Sequence, residues 1–323
     1  MAYFLISVSN RTNLELCIRH GLAGFTNSVN GLWTFCEVEE GDFISFLYGA
    51  RVFNLYRVRE KGALRNAEKL PPWPPVTFRM SGKTYYFPFR AILEPVREFQ
   101  ESMVRPEFAY VAENLLLRGG YRKTHFQADQ TTLQSVSQMG YLSARGPELL
   151  TLGRVESFIP GLSWNRARVR NPEIFKFQES ILQTLLRHFL SNGKNLQNVL
   201  ASVGLNGLEA GSLEVLGEKA LPEGHVDILI KESTPKGISR KVVVEVKLGS
   251  VVPQDVDQLC TYMRETGKEC LGGLLVGRSF SRRTLVLAKE MGIKPLTYAV
   301  VGIDRDAVYT FGDLQKNLLL TAV

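Results

Sequence analysis

Two short stretches carry residue types suited to hydrolytic chemistry. Gly224-His225-Val226-Asp227-Ile228-Leu229-Ile230 and Lys241-Val242-Val243-Val244-Glu245-Val246-Lys247-Leu248-Gly249 are rich in β-branched residues and bounded by turn formers. That pattern predicts two adjacent strands joined by residues 231–240. Side chains alternate between the faces of a strand, so Val243, Glu245 and Lys247 share one face and Val242, Val244, Val246 and Leu248 the other. Asp227 interrupts an otherwise apolar strand, where an ionised carboxylate needs a partner or a metal. If the strands pair, Asp227 stands beside Glu245. Two neighbouring carboxylates repel unless a cation sits between them, and hard oxygen ligands of this kind suit Mg²⁺, with Mn²⁺ as a substitute. Lys247 is then placed to orient a water or to steady charge developing on a phosphate. A Glu-x-Lys on a strand is also the ordinary pattern of a solvated pair on an open face. What favours a site is Asp227 together with the segment that follows.

That segment, residues 253–263, reads as a helix with Val256, Leu259, Cys260 and Met263 as its apolar stripe. Gln258 and Tyr262 fall at i and i+4, side by side on its surface. Upstream, Asn171-Pro172 has the form of a helix start, and Ile174, Phe177, Ile181, Leu182, Leu185 and Phe189 mark one face of a helix running to about Leu190. Glu179 lies at the border of that face, from which it can lean toward a site on the sheet or remain an ordinary surface glutamate. Further strands are predicted over 213–218, 271–276 and 296–301, with a helix over 281–291. Glu214 and Glu218 read as edge charges. The alternation gives a mixed α/β sheet.

The order of acidic helix residue, Gly-x-x-Asp, Glu-x-Lys and Gln-Leu-x-x-Tyr resembles the PD-(D/E)XK nuclease superfamily, in particular the C-terminal nuclease domain of NucS/EndoMS-type and RecB-like enzymes. The resemblance covers about residues 172–301. It implies a restriction-endonuclease-like fold in which Asp227, Glu245 and Glu179 bind the metal, Lys247 assists the water, and Gln258 and Tyr262 line the site or contact DNA. Val226 stands where the motif's proline would be.

A chain of 323 residues is long enough for two domains with their own cores, and 45% hydrophobic residues is ordinary for a globular protein. No apolar run reaches the ~20 residues of a membrane span, and Met1-Ala2-Tyr3-Phe4-Leu5-Ile6 lacks the charged start of a signal peptide and reads as a first strand. Cys17, Cys36, Cys260 and Cys270 have no metal-site spacing, so reduced thiols and a cytoplasmic location are expected. The net charge of +7 favours a polyanionic partner.

The first hundred residues form a different unit. Residues 3–8 are a predicted strand, Asn10 to Asn13 cap a helix over 14–20 ending at Gly21, and residues 32–38, 42–48 and 53–58 read as short strands. This is the pattern of a small, partly closed barrel with helices. Phe25, Trp33 and Trp73 fall in or beside turns, Trp73 within Pro71-Pro72-Trp73-Pro74-Pro75. Aromatics on strands usually belong to the core; alternatively, Trp33 and Trp73 wall a pocket for a flat or methylated base. The run Tyr-Phe-Leu-Ile-Ser-x-Ser-Asn, the Asn13 to Gly21 helix and Gly41-Asp42-x-Ile-x-Phe-Leu-Tyr resemble the EVE/YTH branch of the PUA-like superfamily, over roughly residues 2–97. That likeness implies an aromatic cage with Trp33, Trp73 and Phe25 around the base and Ser7 and Asn10 at its edge, N6-methyladenine being favoured over 5-methylcytosine.

Residues 109–117 and 131–138 look helical, and Arg118, Arg122, Lys123 and His125 form a basic cluster that suits either phosphates or solvent. Arg166, Arg168 and Arg170 alternate through a basic hinge that could follow a DNA backbone. The sequence thus predicts a two-domain α/β protein: a reader unit over 1–157, a hinge over 158–171 and a nuclease unit over 172–323. The expected activity is Mg²⁺-dependent cleavage of methylated double-stranded DNA, and cutting both strands implies a homodimer. The alternatives are a reader that only grips nucleic acid and a NucS-like mismatch or structure-specific nuclease.

Overall fold

The computed structural model describes the chain except residues 50, 78, 80–81, 105–123, 145, 153–154, 222–223 and 235–236. The expected helix over 109–117 and the basic residues Arg118, Arg122 and Lys123 lie outside the described residues. The chain gathers into two compact units, one of residues 1–128, 132–161 and 169–175, the other of residues 129–131, 162–168 and 176–323. Among the described residues no helix is long and apolar enough to cross a membrane, and all four cysteines are free.

The first unit is built on strands β1 (Tyr3–Ser7), β2 (Leu22–Phe25), β3 (Phe43–Tyr48), β4 (Arg51–Leu64), β5 (Phe89–Glu98), β6 (His125–Ala128) and β7 (Tyr141–Leu142). They hydrogen-bond in the order β7-β5-β4-β3-β1-β6, with β2 on β5. Strand β1 runs parallel to β3 and antiparallel to β6; the remaining pairs are antiparallel. The expected small barrel is instead an open sheet. Among the described residues its terminal strands, of two and four residues, do not pair with one another, and strands so short end a sheet rather than close it.

Helix α1 (Arg11–His20) follows the predicted signals: Asn10 Oδ1 accepts from the Asn13 N–H at 2.7 Å, and Gly21 ends the helix at φ 54°. The strand expected over 32–38 is a helix, α2 (Val29–Glu37). Ser28 Oγ caps it by accepting from Gly31 N–H, and Leu32, Trp33 and Cys36 form its buried face at helical spacing. Lys61 closes the far end, donating to the carbonyls of Phe35 at 2.7 Å and Val38 at 2.5 Å. The apolar run had the composition of a strand; the cap and the Lys61 contacts give it the other period.

The second unit contains α3 (Glu179–Ser191), α4 (Gly193–Ser202), β8 (Leu213–Leu221), β9 (Gly224–Glu232), β10 (Lys241–Val246), β11 (Ser250–Val251), α5 (Pro253–Thr266), β12 (Cys270–Gly277), β13 (Ser279–Phe280), α6 (Arg282–Glu290), β14 (Ile293–Val300), α7 (Phe311–Lys316) and β15 (Leu318–Ala322). Its main sheet has the order β8-β9-β10-β12-β14-β15, with β10, β12 and β14 parallel and the rest antiparallel. Helices α5 and α6 cover Leu229, Val243 and Leu275 on one face. The alternate set, Ile228, Ile230, Val242 and Val244, is buried as well, as in a sheet covered on both sides. The helix expected from Asn171 begins at Glu179: residues 174–176 are extended, and the Asn171 side chain accepts from Glu173 N–H in a local turn.

Gly31 supplies a test of the first unit. An alanine Cβ there would lie 1.9 Å from the carbonyl oxygen of Thr26. Helix propensity alone makes Gly→Ala stabilising by about 1 kcal/mol, whereas forcing this contact costs about 1–3 kcal/mol. Gly31→Ala is expected to lower the urea midpoint, and a raised midpoint would show that the close approach is unimportant.

Candidate active site

The acidic centre forms where β9 and β10 part. Their last paired rung on this side is Ile228 with Val244, and the next residues, Asp227 and Glu245, lie beyond it. A side chain replaces the missing ladder bond: Asp227 Oδ2 accepts from the Val246 N–H at 2.7 Å. One step on, the Lys247 N–H donates to Val276 O on β12 at 2.8 Å. The Leu248 N–H then donates to Glu179 Oε2 at 2.8 Å. Successive amides thus point alternately, and the two that leave the sheet each hold a carboxylate. Glu179, the first residue of α3, is well placed for a negative charge by the helix dipole.

Glu245 and Lys247 form an ion pair at 2.8 Å, the glutamate side chain almost wholly buried and the lysine side chain one-fifth exposed. Lys247 Nζ also donates to Gln258 Oε1 at 3.4 Å and lies 3.7 Å from Asp255 Oδ1. Gln258 Nε2 in turn donates to the Tyr262 hydroxyl at 3.0 Å. Helix α5 therefore delivers a polar row onto the sheet, as the i, i+4 spacing predicts. Gly224 on β9 makes room for it, since a Cβ there would meet the Tyr262 hydroxyl at 2.6 Å. Tyr262 is buried by this packing and lines the site behind Gln258.

Two acidic residues beyond the sequence prediction join the group. Asp255 at the third position of α5 accepts from Val252 N–H while facing Lys247; the Pro-x-Asp at the helix start was its only local signal. Glu218, read as an edge charge, is buried on β8 opposite Asp227, at the one rung missing between Gly217–Ile228 and Lys219–Val226. Its backbone is left-handed, φ 52°, which a residue with a side chain adopts at a cost.

Four carboxylates, those of Glu245, Asp255, Asp227 and Glu179, face the Lys247 ammonium, Glu218 adds its charge to Asp227, and their protonation reflects it. Burial pushes Asp227 well above the usual carboxylate range, and the charges of Glu245 and Glu218 push it further. Burial also drives Glu245 up to about 7, although Lys247 draws it down. For Lys247, burial opposes the charge, yet Glu245, Asp227 and Glu179 outweigh it and hold the ammonium above its ordinary value.

Among the described residues no three His, Cys, Asp or Glu side chains are gathered closely enough to hold a metal ion. The donor set nonetheless suits a hard divalent cation. Glu245 Oε2 is buried without a hydrogen-bond partner among the described residues, and the carboxylates of Asp227 and Glu179 are aimed by backbone amides at the same strand end. In the arrangement seen, Lys247 is the cation they face.

The residues expected to line a base pocket are in the first unit. Trp33 is buried on α2 with its ring edge-on to His125 at 4.7 Å, and its indole N–H has no acceptor among the described residues. Trp73 is also buried, against Gly24 and Phe87, with the Arg90 guanidinium 5.4 Å from its ring. Arg90 clamps the proline-rich segment by donating to the carbonyls of Leu70, Pro71 and Phe87, and burial lowers its pKa to about 10. The stiff proline-rich segment, which by itself would stand exposed, is thus held against the unit through Trp73 and Arg90. Phe25 is buried, Ser7 half-buried, and the Asn10 side-chain oxygen is occupied as a helix cap. Arg166, Arg168 and Arg170 are exposed, and Arg168 donates to the Asp306 carbonyl.

No family model matches the sequence. Comparison with curated proteins gives no match. Among solved structures the chain is similar to an EndoMS complex with double-stranded DNA, at 23% identity over 32% of this chain and 43% of that one, with a TM-score of 0.23. It is similar to a repair endonuclease from Pyrococcus abyssi at 21% identity over 32% of this chain and 43% of the other, TM-score 0.22. A third similarity, to the MspJI restriction endonuclease with a 27-mer oligonucleotide, is 11% identical over 88% of this chain and 62% of that one, TM-score 0.19. The chain thus spans less than half the length of the first two.

A carboxyl whose folded pKa is raised from 4.5 to about 7 stabilises the fold below about 4.5 and withdraws that support as pH rises through about 7. The melting temperature of metal-free protein is expected to fall through this window. Mg²⁺, which competes with the proton, should raise it at about pH 8 and hardly at about pH 5. Glu245→Gln should flatten both effects; Mg²⁺ shifts of equal size at the two pH values would exclude Glu245 as a ligand.

Proposed function

We propose that the chain is a divalent-metal-dependent endonuclease that hydrolyses phosphodiester bonds in double-stranded DNA, directed by its N-terminal unit to a methylated base, N6-methyladenine before 5-methylcytosine. The observation that carries the nuclease reading is the buried Glu245 Oε2, without a partner among the described residues, set among backbone-held carboxylates with Lys247 beside it. Asp227 and Glu245, with Glu179, would hold Mg²⁺ or Mn²⁺. When bound, such an ion polarises the phosphate and lowers the pKa of a water. Lys247 keeps its proton under these carboxylates, so it acts as a hydrogen-bond donor that orients the nucleophile and offsets charge on the phosphate, not as a base. Gln258 and Tyr262 hold the ammonium in place from α5. A single site per chain cuts both strands when two copies meet about a two-fold axis, so a homodimer belongs to this proposal.

The support for base reading is the indole N–H of Trp33, a buried donor that lacks an acceptor among the described residues. A flipped base supplies acceptors along its edge, and unstacking it costs a few kcal/mol that a snug pocket can offset.

The test is digestion of one plasmid in unmethylated, N6-adenine-methylated and 5-cytosine-methylated forms with Mg²⁺ and with Mn²⁺. Only the adenine-methylated form should be cut readily. Glu245→Ala should lose on the order of 10²-fold or more in rate, since even a lost outer-shell partner weakens a metal site by up to that factor. Equal cutting of all forms would remove the reader and favour a structure-specific nuclease; no cutting with either metal would leave a binding protein.

A further inference from the structure

The rim beside the acidic centre carries three arginines that no part of the site described so far uses. Strands β10 and β12 are parallel, so their C-terminal ends open at the same edge of the sheet. The two exit loops are laced together. Arg278 N–H donates to Gly249 O at 2.9 Å, β11 pairs in parallel with β13 through Ser250–Ser279 and Val251–Phe280, and the two serine hydroxyls are 2.7 Å apart. The lip is tight: a Cβ on Gly277 would lie 2.2 Å from Val251 Cγ2. Arg278 is therefore anchored by its backbone at the strand end next to that of Lys247, while its side chain is exposed.

The lip is joined to the acidic centre through Tyr298. Its hydroxyl donates to Leu248 O at 2.6 Å, and the N–H of that same residue holds Glu179. Burial raises the Tyr298 pKa to about 12, while Arg278 lowers it and Glu179 raises it, so one phenol senses both charges.

Several basic residues of this chain are neutralised within it: Lys231 by Asp129 and Glu214, Arg240 by Glu232, Lys241 by Glu269. The guanidinium groups of Arg278, Arg282 and Arg283 make no ion pair or hydrogen bond among the described residues. Arg282 and Arg283 are moreover the first two residues of α6, where positive charge opposes the helix dipole, so they do not serve the helix. A polyanion meets repulsion at a cluster of carboxylates unless cations flank the approach. A guanidinium fork matches two phosphate oxygens at once.

We propose that Arg278, with Arg282 and Arg283, forms a phosphate-gripping rim on which the DNA backbone is held as it enters the acidic centre. The assignment rests on the nuclease reading for its purpose, but not for its measurement. Binding of a fluorescent DNA duplex is measured with EDTA present, so that cleavage plays no part, across a series of salt concentrations. Each phosphate that a variant no longer neutralises should make the slope of log K against log [salt] shallower by about 0.9. Arg278→Ala should release about one phosphate and the triple alanine variant about two to three, with at least a tenfold loss of affinity at low salt. Arg278→Lys should keep the slope, because the charge remains, and lose affinity, because the fork is gone. Arg11→Ala, which breaks an exposed pair with Glu15, should leave the slope unchanged. A triple variant that melts like the parent and binds with the parent's slope overturns the proposal, whether or not the enzyme cuts. A shallower slope in a protein that cuts nothing with Mg²⁺ or Mn²⁺ sustains the rim and removes the nuclease reading.

Discussion

The second unit depends on how β10 leaves its sheet. After Val244 the strand loses its antiparallel neighbour but keeps its parallel one, so every second amide faces outward. A buried amide without an acceptor is costly, and the chain supplies carboxylates as acceptors: Asp227 for Val246 and Glu179 for Leu248. The side chains between those amides, Glu245 and Lys247, are thereby fixed on the face that α5 covers. Strand alternation and backbone hydrogen-bond demand together draw Asp227, Glu179 and Glu245 toward one strand end, where Asp255 on α5 and Glu218 on β8 join them.

Such a gathering is unfavourable by itself, and the chain shows what a balanced version looks like. Lys231 lies between Asp129 at 2.7 Å and Glu214 at 3.4 Å, a buried group in which two acids share a cation. At the end of β10 the acids outnumber the single ammonium, and burial and mutual repulsion raise Asp227 and Glu245. This surplus of one sign in a buried place is the feature on which the proposed metal site rests.

The sequence made Asp227, Glu245 and Lys247 legible because period two alone fixes their faces, and Gln258 with Tyr262 because i, i+4 alone makes them neighbours. It misled where a local pattern had two readings. Asn171-Pro172 imitates a helix start, yet Asn171 uses its side chain in its own turn. The apolar run around Trp33 reads as a strand until Ser28 caps it and Lys61 binds its last carbonyls. It was silent where contacts are distant: the burial of Tyr262 follows from Gly224, and the exposed Arg278 beside the site from the pairing of two exit loops. The open sheet of the first unit likewise depends on which edge strands meet, which no local signal encodes.

The rung shared by Glu218 and Asp227 joins two local faults, a left-handed backbone under a side chain and like charges facing across neighbouring strands. Either fault is easily relieved by a single substitution, glycine at 218 for the first or a neutral residue for the second. Selection for heat resistance alone would therefore erode this rung early. Under the proposed nuclease reading, thermal tolerance and chemical competence pull in opposite directions at this one rung, so a directed-evolution experiment toward either property should register there first.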